Sequence, residues 1–78
     1  METQPLTVLR DFRHSHRPRL SQGQLAKSIG VVRETVARWE LGIRKIDEDN
    51  LPAVTRATGI PARVLRPDLA ARFVEAAE

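Results

Sequence analysis

Two short helical patterns joined by a glycine turn constrain the fold of this chain more than any other feature of its sequence. Ser21 stands three residues before Gln24, in the Ser-x-x-Gln order of a capping box, which predicts the start of a helix. Gly30 predicts the end of that helix, because glycine tolerates the left-handed backbone at which helices stop. A further helix is predicted from about Arg33 to Leu41, again with a glycine directly after it.

The apolar residues of this stretch are spaced as two crossing helices require. The positions that we expect to face the core are Leu25, Ile29, Val31, Val36 and Trp39. Two helices that cross steeply over a three-residue turn need a small side chain at the crossing point, and Ala26 provides one. Trp39 has the phase of a core residue rather than of a base-stacking one. The combined spacing predicts a helix-turn-helix.

The rest of the chain also has the pattern of short helices, and nothing alternates with the period of a strand for more than a few residues. Helices are predicted over about residues 6–15, from the acidic residues 47–49 to Gly59, and from Pro61 to about residue 65. We therefore predict an all-α fold. We expect residues 1–66 to form a compact five-helix domain with the helix-turn-helix at its centre, and residues 67–78 to form a short C-terminal tail helix.

Charge is distributed unevenly along the chain. Residues 10–45 contain nine basic residues against three acidic ones, a net charge of +6, whereas residues 46–78 contain four against six. This asymmetry predicts a polyanionic partner for the first half, most simply nucleic acid. The alternative is that an arginine-rich surface reflects genome composition, and the predominance of arginine among the basic residues fits both explanations.

Composition excludes several classes of protein. A chain of 78 residues with 41% apolar residues suits one small globular core. The absence of cysteine excludes disulfides and thiolate metal sites. The apolar runs are too short for a transmembrane helix, and the N-terminus lacks a signal-peptide pattern. We therefore expect a cytoplasmic, nucleoid-associated protein with no membrane contact and no cofactor.

The recognition helix, as we call the predicted helix after Gly30, has one polar face. At about 100° per residue, the core positions fall on one side and four other residues on the opposite side: Arg33, Glu34, Ala37 and Arg38. An arginine fork matches guanine O6 and N7, a carboxylate accepts from cytosine N4, and a small residue permits contact with a thymine methyl. The alternatives are that Glu34 and Arg38 form only an exposed i,i+4 pair, or that Glu34 aims Arg38.

The stretch LSQGQLAKSIGVVRETVARWELG resembles the helix-turn-helix of the Xre/Cro/phage-repressor family, and LPAVTRATGI resembles that family's fourth helix. The ending ATGIPARVLRPDLA is similar to small Cro-like or YdaS-like prophage regulators. The resemblance implies a lambda-repressor-like fold that binds double-stranded DNA. Val32 stands where the family usually has glutamine or a small polar residue, so it bears on base preference and is counted with the base-reading residues. The link at Arg17-Pro18 is longer than usual and bears on backbone contacts.

Other basic and polar residues are candidates for contacts to the DNA backbone. Gln22 opens the second helix, where a side-chain amide and free backbone N–H groups can meet a phosphate, and the resemblance supports that role. Arg44 and Lys45 follow the recognition helix and are predicted to hold the next phosphates. For Lys27 and Arg19, a merely solvated surface is an equal alternative.

Several other patterns do not indicate a metal site or a catalytic site. The resemblance implies that Arg13 and Glu40 form a structural ion pair between the first and third helices. His14 and His16 are too few to bind a metal without other ligands. The acidic residues 47–49 are explained by a helix start rather than by a catalytic or metal cluster. No catalytic constellation is present, so we do not expect an enzyme.

The resulting hypothesis is a sequence-specific regulator, most simply a repressor that binds a palindromic operator as a homodimer. An apolar stripe that recurs every four residues is suited to a partner helix, and its dimer candidates are Leu65, Leu69 and Phe73. The alternative is that this stripe folds back on its own core. A second functional hypothesis is an antitoxin whose tail binds a toxin and whose DNA binding is autoregulatory.

Overall fold

The computed structural model describes residues 7–69, and the regular secondary structure among them is helical, with no strand. The helices are α1 (Thr7–Ser15), α2 (Gln22–Ile29), α3 (Arg33–Leu41), α4 (Leu51–Thr58) and α5 (Ala62–Leu65). Residues 67–69 are also helical, and the rest of the predicted tail helix lies outside the described residues. The prediction of an all-α, five-helix domain is confirmed.

The predicted boundaries of α2 are confirmed by its caps. The Ser21 hydroxyl accepts a hydrogen bond from the Gln24 backbone N–H at 3.0 Å, and the Gln24 side chain accepts one from the Ser21 N–H at 2.8 Å. At the other end, Gly30 has a φ of 98° and its N–H donates to the Ala26 carbonyl at 2.8 Å. This reciprocal box and the left-handed stop hold α2 to the length that the sequence predicts.

Helix α3 begins without a side-chain cap, since Val32 precedes it and has no polar atom to accept from the first N–H groups. The helix ends at Gly42, whose φ of 79° is again left-handed. Between α2 and α3, the Val31 N–H also donates to the Ala26 carbonyl, at 3.0 Å. The chain therefore turns tightly after α2, and α3 packs across that helix.

The start of α4 differs from the prediction. The acidic residues 47–49 lie before the helix, where the N–H groups of Asn50 and Leu51 each donate to the Asp47 carbonyl at 3.0 Å. Ile46 is completely buried on one side of this turn and Leu51 is buried on the other. Because two buried side chains fix the ends of the segment, the exposed acidic residues form a turn between them instead of the first helical turn.

One core unites the described helices. Its buried apolar side chains include every position predicted for the faces of α2 and α3 except Val31, which is partly buried: Leu9, Leu25, Ala26, Ile29, Val36, Trp39, Ile46, Leu51, Val54, Leu65 and Leu69. The core role of Trp39 is thereby confirmed. Because its side chain is almost completely buried, Trp39 fixes which side of α3 faces solvent.

The apolar stripe considered for a dimer interface contributes to this same core. Leu65 is 2% exposed and Leu69 is 5% exposed, so neither side chain offers surface to a partner. Their burial favours the alternative in which the stripe packs against the chain's own core. Phe73, the third predicted dimer residue, lies outside the described residues.

Candidate nucleic-acid interface

Helix α3 presents the polar face that its sequence predicts. Arg33, Glu34 and Arg38 are exposed, and Ala37 is half-buried between them. Because Val36 and Trp39 anchor the opposite side in the core, this face has a fixed orientation relative to the rest of the domain.

Glu34 approaches Arg33 rather than Arg38. The Arg33 Nη2 and a Glu34 carboxylate oxygen are 3.7 Å apart, and both side chains are exposed. Arg38 has no ion pair with any residue that the structure describes. The alternative of an i,i+4 pair between Glu34 and Arg38 is therefore not found among the described contacts, and the Arg38 guanidinium is available to an external acceptor.

Gln22, the first residue of α2, forms hydrogen bonds with two residues of α3. Its Nε2 donates to a Glu40 carboxylate oxygen at 3.1 Å, and its Oε1 accepts from Arg33 Nη1 at 3.4 Å. A carboxylate only accepts hydrogen bonds and a guanidinium only donates them, so both neighbours demand the same orientation of the amide. Gln22 therefore presents its carbonyl oxygen, not its amide nitrogen, toward Arg33.

Glu40 in turn is held by Arg13 of α1. Arg13 Nε and Nη2 each donate to a different carboxylate oxygen of Glu40 at 2.7 Å, and Arg13 Nη1 donates to the Leu20 carbonyl at 3.2 Å. Burial opposes ionisation of Glu40, but the hydrogen bonds from Arg13 and Gln22 outweigh it and hold the pKa of Glu40 below its usual value. The expected structural ion pair between α1 and α3 is present.

These contacts form a continuous series from the protein interior to the predicted DNA-facing surface. We call the four residues Arg13, Glu40, Gln22 and Arg33 the arginine network. Its inner pair is nearly excluded from solvent, with side chains 10% and 7% exposed, and its outer end is solvent-accessible. The predicted base-reading side chain at the start of α3 is thus connected to a rigid ion pair through one amide.

The predicted backbone-contacting residues other than Gln22 lie on exposed surface. Arg19 precedes α2, Lys27 lies in its last turn, and Arg44 follows α3. None of these three makes an ion pair with a described residue. Lys45 differs, because its Nζ lies 3.6 Å from a carboxylate oxygen of Asp68.

Two apolar residues beside this surface were not predicted as part of it. Leu41 is 67% exposed and Ile43 is 64% exposed, at the C-terminal end of α3. The helical phase of Leu41 places it on the same side of α3 as Arg33 and Glu34, so its exposure could have been found from the spacing. Ile43 follows the helix, where spacing gives no signal. Val32 is exposed at the other end of α3.

The part of the chain that the structure describes contains neither a candidate metal cluster nor a candidate membrane-spanning helix. No group of three or more histidine, cysteine, aspartate or glutamate side chains is placed to share a metal ion there. None of the described helices has the length and apolar character needed to span a bilayer.

Comparison with known proteins places these elements in context. A family model described as helix-turn-helix matches residues 19–65, which is more than half of the chain. The matched region runs from the approach to α2 through α5 and contains every predicted base-reading and backbone-contacting residue. No curated protein and no solved structure matches the chain.

Proposed function

Because the chain belongs to the Xre/Cro/lambda-repressor-type helix-turn-helix family, a family of DNA-binding transcription regulators, we propose that it is a repressor that binds a palindromic operator as a dimer. The observation that carries the proposal is the solvent-facing side of α3. It places two arginines and a glutamate outward on a helix whose other side is locked into the core. A rigid helix with forked donors on one face is suited to reading base edges in a major groove.

Each residue of this face has a role that follows from its chemistry. Arg33 and Arg38 donate in pairs to guanine O6 and N7, and Glu34 accepts from cytosine N4. Ala37 and Val32 contact thymine methyl groups, since both are apolar and neither projects far from the helix. The arginine network supports this assignment, because a base-reading side chain gains specificity when its approach is fixed.

Phosphate contacts supply the remaining affinity. Arg19, Lys27 and Arg44 are exposed cations without described ion pairs, and each is suited to neutralising a phosphate. Each neutralised phosphate steepens the loss of affinity with salt by about 0.9 log unit per log unit of salt concentration. Gln22 is less suited to a phosphate, because one of its two amide N–H donors is already used by Glu40.

Dimerisation is proposed because a single helix-turn-helix reads only a few base pairs. Two copies related by a two-fold axis place their α3 helices in successive major grooves, about 34 Å apart. The alternative of an antitoxin depends on the tail, of which the structure describes only residues 67–69, and there Leu69 is buried. No observation in the described part favours that alternative.

Selection of bound sequences from a random DNA pool at low salt tests the proposal directly. We expect enrichment of a two-fold symmetric site whose half-sites lie one helical turn apart and contain guanines. An Arg33→Ala, Arg38→Ala double variant serves as the matched control and should lose the enrichment while still binding DNA. If the wild-type protein enriches no DNA sequence over the input pool, the proposal is overturned.

A further inference from the structure

Arg66, between α5 and the helical residues 67–69, joins two distant parts of the chain. Its Nη1 donates to the carbonyl of Ile46, the buried residue that follows the loop after α3. Its Nε and Nη2 donate to the two carboxylate oxygens of Asp68 at 3.0 and 2.8 Å. The Arg66 side chain is only 14% exposed, so this guanidinium is a fixed anchor rather than a mobile surface group.

Asp68 is consequently held beside the loop that follows α3. Both carboxylate oxygens are engaged by Arg66, and the next residue, Leu69, is buried in the core. Hydrogen bonding to Arg66 holds the pKa of Asp68 far below its usual value, so the carboxylate is ionised at neutral pH. An ionised carboxylate therefore lies beside the two basic residues Arg44 and Lys45, which precede the acidic residues 47–49.

The cation that this carboxylate faces is Lys45. Its Nζ lies 3.6 Å from the Asp68 oxygen that also accepts from Arg66 Nη2, and the lysine and aspartate side chains are 44% and 45% exposed. The neighbouring Arg44 has no ion pair with a described residue. The two adjacent cations of the loop thus differ, since one is paired within the protein and the other is open to an outside anion.

We propose that Asp68 competes with a DNA phosphate for Lys45 and thereby weakens sequence-independent binding, a role that rests on the proposed DNA-binding function. A phosphate that approaches Lys45 must displace a fixed carboxylate or share the ammonium group with it. Lys45 then contributes less to phosphate binding than an unpaired cation does. Because the base contacts on α3 are untouched, Asp68 lowers the affinity for all DNA sequences alike and leaves the preference among them unchanged.

The first test measures binding of a random-sequence duplex as a function of salt, using wild type, Asp68→Asn, Lys45→Gln and the double variant. We expect Asp68→Asn to tighten binding by about two- to fivefold at low salt, the range of an exposed ion pair. Its salt slope should steepen by a fraction of the about 0.9 log unit that one phosphate contributes. In the Lys45→Gln background, the same Asp68 change should have little effect.

Asp11→Asn is the matched control, because it removes one exposed carboxylate from α1 without touching this loop. If Asp68→Asn and Asp11→Asn increase the affinity for the random-sequence duplex equally, the inference is overturned, since the effect would then come from net charge. Wild-type protein that fails to bind any duplex at low salt would instead overturn the proposed function.

A second measurement leaves the Arg66–Asp68 contact intact, in case Asp68→Asn impairs folding. Lys45→Gln should reduce the salt slope less than Arg44→Gln does, because only Lys45 is opposed by a carboxylate. Equal reductions by the two variants would contradict the inference.

Discussion

Arg13 on α1 and Glu40 on α3 are 27 residues apart in the chain, yet Arg13 Nε and Nη2, on one edge of the guanidinium, each donate to a different Glu40 carboxylate oxygen at 2.7 Å. The pair lies at the edge of the core, where neither group is well solvated. It fixes the rotation of α3 relative to α1. Glu40 also accepts a hydrogen bond from Gln22 Nε2, and this bond orients the Gln22 amide whose oxygen contacts Arg33.

Removing one partner of this pair should destabilise the domain strongly. Arg13→Ala leaves the Glu40 carboxylate nearly buried without its cation, and we expect a loss of about 3 kcal/mol in the free energy of unfolding. Urea denaturation followed by tryptophan fluorescence measures it, since Trp39 is the only tryptophan. Glu34→Ala, which breaks the exposed contact to Arg33, is the control and should change stability by about 0.5 kcal/mol or less.

The Glu40 carboxylate should also make stability depend on pH. Its pKa in the folded protein lies below the usual value of a glutamate, so the unfolded chain binds the proton more readily. The stabilisation is complete above the unfolded pKa and is lost as pH falls through the lower, folded pKa. Unfolding measured from pH 7 downward should therefore show a decline below about pH 4.5 that Glu40→Gln reduces. An unchanged decline in Glu40→Gln would contradict this assignment.

Gln22 should act on specificity rather than on general affinity. Gln22→Ala removes the acceptor that holds Arg33, and we expect discrimination at the base pair read by Arg33 to fall by about 1 kcal/mol, the size of one hydrogen bond. Binding of random-sequence duplex and its salt slope should stay nearly constant. A uniform loss for all sequences, with a shallower slope, would show instead that Gln22 contacts a phosphate.

Arg38 and Arg44 should separate base reading from phosphate binding. Arg38→Ala should cost about 1–3 kcal/mol on the selected site and relax preference at one base pair. Arg44→Ala should weaken all sequences alike and lower the salt slope by about one phosphate's contribution. Titrations of selected and scrambled duplexes at several salt concentrations distinguish the two patterns. Identical patterns for both variants would contradict the assignment of α3 as the reading surface.

Replacing each of two glycines near the ends of α2 with alanine should change the stability of the protein in opposite directions. Gly30 has a φ of 98° and open space where a Cβ would lie, so Gly30→Ala should destabilise through backbone strain alone, by about 1 kcal/mol. Gly23 lies within the helix, and a Cβ there would meet its nearest atoms at 3.8 and 4.0 Å, which are ordinary contacts. Gly23→Ala should stabilise by about 0.5–1 kcal/mol. Thermal unfolding of both variants checks the pair.

The features that could be predicted from the sequence alone are those that depend on neighbouring residues. The capping box at Ser21 and the left-handed stop at Gly30 involve contacts within a few residues, so α2 and its turn follow from local chemistry. The outward face of α3 was predictable as well, because helical geometry alone separates Arg33 and Arg38 from the apolar side.

The relationships between distant residues required the three-dimensional packing of the helices. Ile46 is buried and α4 begins at Leu51 because the core closes around both, and no periodic pattern around residue 46 indicates this. The orientation of Gln22 depends on Glu40, 18 residues away, and the partner of Lys45 is supplied by the segment after α5. These contacts arise from the way the helices cross, so they leave no trace in local composition, spacing or charge.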